Sequence, residues 1–181
     1  MARTSVDIRA DPAYFEALGR FCYEFSILEA VMFNTLAFYA KVPNRMARAV
    51  FSGARVRTAM GFIERIVQIE DPGEENKKDL KCIFKKLKAI NTFRDDILHQ
   101  GSILTDNKGR ISSNIVRNLT PERLKERSAS TETLNAATAD LRKVCLHLAC
   151  HYACPQASLA QRAALEGCEV LYDPWQYKVD Q

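Results

Sequence analysis

The sequence has few of the residues that mark unusual protein classes, and it lacks several common catalytic motifs. Of its 181 residues only 7 are glycine and 6 are proline, whereas 47% are hydrophobic, which excludes a disordered or fibrous chain. It contains no glycine-rich phosphate-binding loop, no H-E-x-x-H motif and no G-x-S-x-G motif. The length fits one domain that buries a sizeable core without disulfide bonds.

Neither sign of charge dominates the chain. Its 26 basic residues exceed its 22 acidic residues by a net charge of +4. This mild excess is compatible with RNA or DNA as a partner but does not by itself indicate one.

The sequence also lacks the signals of secretion and of a membrane span. Its 6 cysteines are too few for the disulfide framework of a secreted protein of this length. Charges at Arg3 and Arg9 interrupt the first residues, so no signal peptide is expected. The most apolar stretch, Ser26 to Val42, is too short and too polar to predict a membrane span. We therefore predict a cytoplasmic protein with reduced thiols and no membrane partner.

Apolar residues recur at helical spacing through most of the chain. The predicted elements are a helix from Asp11-Pro12 to Val42-Pro43, a second helical region from Asn44 to about Glu70 with a break at Ser52-Gly53, and a third helix that begins after Glu74-Glu75 and stops before Gly101. They are followed by a hairpin from Ser102 to Val116, a short helix or a loop that opens at Thr120-Pro121, a long helix that ends before Pro155, and a short helix from Ala157 to Glu166. The fold class is therefore an all-α bundle of four to five helices, with a small β-hairpin insert before the last long helix. Residues 1–155 form the predicted helical domain, and residues 156–181 a short helix and a tail.

One arginine of the third helix occupies a position where an apolar residue is expected. Arg94 interrupts a seam that consists of Leu80, Ile83, Leu87, Ile90 and Ile97. A guanidinium on a buried seam is costly unless it is paired. Five residues later His99 lies at the helix C-terminus, where the helix dipole favours the protonated imidazole. Arg142 and His147 repeat this spacing, but Arg142 is next to the seam and is expected to face water.

Arg94, Asp95 and His99, followed by Gly101, resemble the motif of the HEPN domains (higher eukaryotes and prokaryotes nucleotide-binding). The order of the predicted elements between Tyr14 and Ala153 is also similar to that of bacterial HEPN-like proteins.

The resemblance implies a homodimer in which two motif helices meet and both Arg–His pairs line one cleft. It also implies a metal-independent endoribonuclease without a cofactor, of the kind found as toxins of toxin–antitoxin systems and as effectors of phage defence. His99 would then be the general acid or base, Arg94 would stabilise the phosphate, and Asp95 would orient them. An antitoxin or another protein would be a further partner.

Two alternatives to catalysis stay open at this point. In the first, Arg94 pairs with Glu29 of the first helix as a structural ion pair, and the chain is a non-catalytic module that binds nucleic acid or a protein. In the other, the segment from Cys145 to Cys154 makes a metal or thiol-sensor site, because His147, Cys150, His151 and Cys154 share one helix face.

Basic and aromatic side chains outside the motif have two interpretations each. Lys81, Lys85 and Lys88 either attract the RNA backbone toward the cleft or form a solvated helix face. The same choice applies to Arg45, Arg48, Arg55 and Arg57. The tail aromatics Tyr172, Trp175 and Tyr177 are expected to pack against the bundle, the alternative being that they stack on bases or dock on a partner.

Overall fold

The structure is a computed structural model that describes residues 11–105, 109–113, 126–153 and 173–178. Within these ranges five helices account for most of the chain. They are α1 (Pro12–Tyr39), α2 (Asn44–Phe51), α3 (Val56–Glu70), α4 (Glu74–Gln100) and α5 (Thr131–Ala153). Three short strands, β1 (Ile103–Thr105), β2 (Gly109–Ser113) and β3 (Glu126–Ser128), form an antiparallel sheet in the order β1-β2-β3. The predicted helical bundle with a small hairpin before its last long helix is confirmed at this level.

The first helix begins where the sequence predicts. The side chain of Asp11 accepts a hydrogen bond from the backbone N–H of Tyr14 at 3.1 Å, and Pro12 takes the first helical position. The helix ends at Tyr39, a few residues before the predicted end, because Lys41 adopts a left-handed conformation with φ of 53°. The break between α2 and α3 falls at Gly53, whose φ is 78°.

The core lies where α1 packs against α3 and α5 and α4 packs against both of these helices. All the apolar residues of the predicted seam on α4 are buried there. The predicted inner face of α5 is fully buried as well, and it consists of Leu134, Ala137, Leu141, Val144 and Leu148. Burial of these apolar faces provides the main driving force for folding, and it fixes the positions of the polar residues between them.

By length and composition alone, α1 is apolar enough to cross a membrane. Its most apolar window of 18 residues has a mean hydropathy of 1.2, and 44% of that window is buried inside the protein. The apolar stretch from Ser26 to Val42 starts 14 residues after Pro12, so it does not include the first half of this 28-residue helix. In the fold α1 is the central core helix, with Phe21, Leu28 and Leu36 completely buried.

The small sheet lies directly after α4 and is anchored at the C-terminal end of α4, which is joined in turn to the N-terminal end of α1. The hydroxyl of Ser112 donates to the carbonyl of Gly101 at 2.9 Å, and the hydroxyls of Tyr14 and Ser102 are 2.6 Å apart. The third strand, β3, differs from the prediction of a short helix or a loop after Thr120-Pro121. Its three residues are too few to show an alternating pattern.

The segment 173–178 lies against α4 and α5. The carboxylate of Asp140, 2% exposed, accepts hydrogen bonds from the backbone N–H groups of Gln176 and Tyr177, both at 2.8 Å. The ring of Tyr177 is buried against Phe93 with 5.1 Å between the centroids. The prediction that the tail aromatics pack on the bundle is confirmed for Trp175 and Tyr177. Tyr172 and the predicted short helix of residues 157–166 lie outside the described residues.

Replacing Asp140 with asparagine is expected to lower the free energy of unfolding by about 1–3 kcal/mol, because the neutral amide leaves buried donors poorly satisfied. One of these donors is the ammonium of Lys86, whose nitrogen lies 3.1 Å from a carboxylate oxygen of Asp140. Urea unfolding measures the effect. Glu64→Gln, which removes an exposed ion pair with Lys88, is the control and should cost far less. Equal losses in the two variants would show that Asp140 does not anchor the tail.

Candidate functional site

A cleft of about 380 Å³ opens between α1, the start of α3 and the C-terminal half of α4. Its polar lining is contributed by all three helices and consists of Glu29, Arg55, Arg57, Thr58, Asn91, Arg94, Asp95 and His99. The structure therefore brings the three predicted catalytic residues and Glu29 to one place.

Arg94 is held at the cleft wall by two contacts. Its Nη1 atom lies 3.1 Å from Oδ1 of Asp95, and its guanidinium carbon lies 5.1 Å from the ring centre of Phe25. The side chain keeps 29% of its surface exposed. Arg94 therefore avoids the cost of an unpaired buried charge and still presents donors to the cleft.

Asp95 orients Arg94, and Glu29 does not in the described part of the chain. The second carboxylate oxygen of Asp95 lies 3.5 Å from the amide nitrogen of Asn91, one turn earlier. Glu29 is exposed on the same cleft, but within the described ranges no ion pair joins it to Arg94. The predicted structural partner is thus a neighbour in the cleft, and the ion pair is made by the adjacent residue instead.

His99 occupies the last turn of α4 and is exposed to solvent. The helix ends just beyond it at Gly101, whose N–H donates to the carbonyl of Ile97 at 2.9 Å and whose φ of 72° favours glycine. Because this stop fixes the last turn, the imidazole faces the same cleft as Arg94. Among the described residues no hydrogen bond occupies its ring nitrogens, so they are accessible for proton transfer.

The start of α3 adds positive charge that the motif alone does not indicate. Arg55 is the N-cap residue, and in the described chain no side chain caps the N–H groups of the first turn. Arg57 is the second residue of the helix and lines the cleft beside Thr58. Such a helix end favours negative charge. The sequence leaves Arg55 and Arg57 with the same two interpretations as Arg45 and Arg48, and the packing of α3 beside α4 is what brings Arg55 and Arg57 to the cleft.

The three predicted RNA-binding lysines lie outside the cleft. Lys81, Lys85 and Lys88 are exposed on α4. The ammonium of Lys88 pairs with Glu64 at 2.9 Å, and Lys81 borders a different pocket between α3 and α4. They form a basic helix face, and the structure does not bring them together with Arg94 and His99.

The segment from Cys145 to Cys154 contributes to a buried polar cluster rather than to an evident metal site. Nε2 of His151 lies 2.9 Å from one carboxylate oxygen of Asp79, and the Tyr39 hydroxyl lies 3.0 Å from Nδ1 of the same imidazole. Nδ1 of His147 lies 3.5 Å from the other oxygen of Asp79. No three metal-ligating side chains within the described ranges are arranged to hold an ion. We call Tyr39, Asp79, His147 and His151 the Asp79 cluster.

The thiol of Cys145 has little nucleophilic character. Burial raises the pKa of Cys145 to about 12, with the charge of Glu24 acting in the same direction. A protonated buried thiol is a poor redox sensor and a poor metal ligand. Cys154 lies outside the described residues.

The repeated Arg–His spacing on α5 does not create a second site. Arg142 is 59% exposed and its Nη2 atom lies 2.7 Å from Oε1 of Glu24, whereas His147 belongs to the buried Asp79 cluster. The prediction that Arg142 faces water is confirmed. Arg142 is therefore a useful reference for Arg94 in experiments.

Compared with known protein families, with curated proteins and with solved structures, the chain has no match.

Proposed function

We propose that the protein is a metal-independent endoribonuclease similar to the HEPN nucleases. The observation that carries the proposal is the arrangement of Arg94, Asp95 and His99 around one open cleft. An arginine oriented by a carboxylate beside an accessible imidazole is what general acid–base cleavage of a phosphodiester needs.

The chemistry uses the 2′-hydroxyl of RNA as the nucleophile. A neutral His99 imidazole takes the proton of that hydroxyl while the 2′ oxygen attacks the adjacent phosphorus. An imidazolium gives a proton to the 5′ oxygen as the bond from phosphorus to that oxygen breaks. The products are one fragment with a 2′,3′-cyclic phosphate and another with a 5′-hydroxyl. Arg94 stabilises the extra negative charge on the phosphoryl oxygens in the transition state.

The mechanism needs one imidazole as the base and a second as the acid. At this cleft one chain provides a single exposed imidazole, that of His99. His147 and His151 are buried in the Asp79 cluster, 4% and 1% exposed. The proposal therefore includes a homodimer in which the partner contributes the second imidazole. In the cell such a nuclease would act as a toxin or as an antiviral effector, restrained by an antitoxin or another protein partner.

The second candidate function is a non-catalytic module that binds nucleic acid or a protein through the same cleft. The ion pair between Arg94 and Asp95 favours this second candidate, because the carboxylate partly neutralises the guanidinium and weakens its attraction for a phosphate. Both candidates use the same residues, so cleavage separates them.

The test is cleavage of a mixture of structured and single-stranded RNA by the purified protein in EDTA. We expect wild type to cleave, and Arg94→Ala to cleave about 10²- to 10³-fold more slowly. Arg142→Ala, which removes an arginine with the same spacing to a histidine, should cleave at the wild-type rate.

Each other outcome counts against the nuclease. Absence of cleavage with retained RNA binding would replace it with the binding module. Cleavage that survives Arg94→Ala, or that disappears in EDTA, would contradict the mechanism.

A further inference from the structure

Two arginines on the α3 side of the cleft have no role in the proposed reaction. Arg55 and Arg57 line the cleft together with Arg94 and His99. Both are exposed and belong to the start of α3, a different element from the α4 helix that carries the catalytic residues. The cleft thus has a catalytic wall and a separate basic wall.

Neither arginine is neutralised within the described part of the chain. Other surface cations are engaged there: Lys77 pairs with Asp71 and Glu74, and Lys88 pairs with Glu64. No ion pair of this kind involves Arg55 or Arg57 among the described residues. Unpaired guanidinium groups at the edge of a cleft are available to an anionic ligand.

The charge balance of the cleft also favours an anion. Three arginines face two carboxylates, and Asp95 is already paired with Arg94. The first-turn N–H groups of α3 add the partial positive charge of an uncapped helix end on the same wall. An RNA strand that places one phosphate at Arg94 and none at the start of α3 leaves this second region of positive charge without an anion.

We propose that Arg55 and Arg57 bind the phosphate next to the one that is cleaved, so that the cleft holds an unpaired RNA segment with two consecutive phosphodiesters. The inference rests on the proposed nuclease function and specifies its substrate class. A cleft of about 380 Å³ is the size of a small-molecule pocket and has no room for an RNA duplex. An extended single strand is the RNA form that reaches both walls.

The experiment measures binding of a single-stranded RNA octamer whose nucleotides carry 2′-O-methyl groups, which block the attack. Fluorescence anisotropy over a range of salt concentrations gives the affinity and its salt dependence. The double variant Arg55→Gln/Arg57→Gln is expected to bind about 10- to 100-fold more weakly at low salt. The slope of log K against log salt should become shallower by about 0.7, since the variant loses one phosphate contact to a single strand.

A matched control removes the same charge from the neighbouring helix. Arg45→Gln/Arg48→Gln alters two exposed arginines of α2 that do not line the cleft, and the slope should change by less than half as much. Circular dichroism checks that both double variants are folded. Equal changes in the two double variants would show that only overall charge matters and would overturn the inference.

Failure of this inference can be distinguished from failure of the nuclease proposal. If wild type cleaves RNA and the Arg55→Gln/Arg57→Gln variant binds like wild type, only the second phosphate site is wrong. If wild type neither cleaves nor binds RNA, both proposals fail together. The assignment to unpaired RNA stands if the variant binds the single strand more weakly than wild type does, while wild type and variant bind a 2′-O-methylated duplex with the same low affinity. A duplex that wild type binds as tightly as the single strand would contradict it.

Discussion

Replacing His99 with alanine is expected to slow RNA cleavage by about 10²- to 10⁴-fold, the usual contribution of a general acid or base. The loss should be large because the other two histidines are buried in the Asp79 cluster and cannot substitute for it. Stability should hardly change, since the His99 side chain is exposed at the end of α4. Single-turnover cleavage kinetics and urea unfolding measure the two effects.

Thr92→Ala is the control for His99→Ala, because Thr92 lies on the same helix and does not line the cleft. Its hydroxyl donates to the carbonyl of Lys88, one turn earlier. It should cleave at close to the wild-type rate. A His99→Ala variant that retains full activity would remove the acid–base role, and a variant that loses both activity and stability would identify His99 as structural.

Replacing Asp79 with asparagine is expected to lower the free energy of unfolding by about 3 kcal/mol near pH 6, in the range found when one partner of a buried ion pair is removed. The carboxylate lies between His147 and His151 and connects α4 to α5. Because His151 also contacts Tyr39 of α1, the substitution should also weaken the packing of α1 against α5. Urea unfolding of both proteins measures it, with Glu64→Gln as the exposed control.

The effect of Asp79→Asn should depend on pH. Burial alone would raise the pKa of Asp79, but the hydrogen bonds and charges of His147 and His151 outweigh it and hold the pKa well below its usual range. A carboxylate whose pKa is lower in the folded state stabilises the fold above its unfolded pKa of about 3.9, and this stabilisation is lost as the pH falls below that value. The difference between wild type and Asp79→Asn should therefore be smaller at pH 3 than at pH 6. A difference that grows toward pH 3 would contradict this account.

Most of the bundle follows from local patterns in the sequence. The apolar seams of α4 and α5 and the Asp-Pro start of α1 predict three long helices, because helical periodicity and capping are local properties. The exact end of α1 does not follow, since it depends on the left-handed conformation of Lys41. The strand β3 does not follow either, because its pairing with β2 comes from contacts across the chain.

In the candidate site, too, local patterns predict some residues, whereas others depend on the packing of the helices. Arg94 and His99 lie on one helix, so their spacing and the misplaced charge on the seam indicate them. Arg55 and Arg57 reach the cleft only because α3 begins beside the C-terminal half of α4, which is a property of the packing. The Asp79 cluster joins Asp79 to His151, 72 positions later, and Tyr39 to His151, 112 positions later, for the same reason. Pairing of Arg94 with Asp95 instead of Glu29 was a choice that sequence alone left open.

The most direct test of the central claim is the chemical identity of the RNA ends that wild type produces in EDTA. Mass spectrometry of the fragments from a defined single-stranded oligonucleotide is expected to show 2′,3′-cyclic phosphates and 5′-hydroxyls. In the same reaction time Arg94→Ala should form these ends about 10²- to 10³-fold more slowly than wild type. Fragments with 5′-phosphates and 3′-hydroxyls, or no fragments unless a divalent metal is added, would contradict a nuclease built on Arg94 and His99.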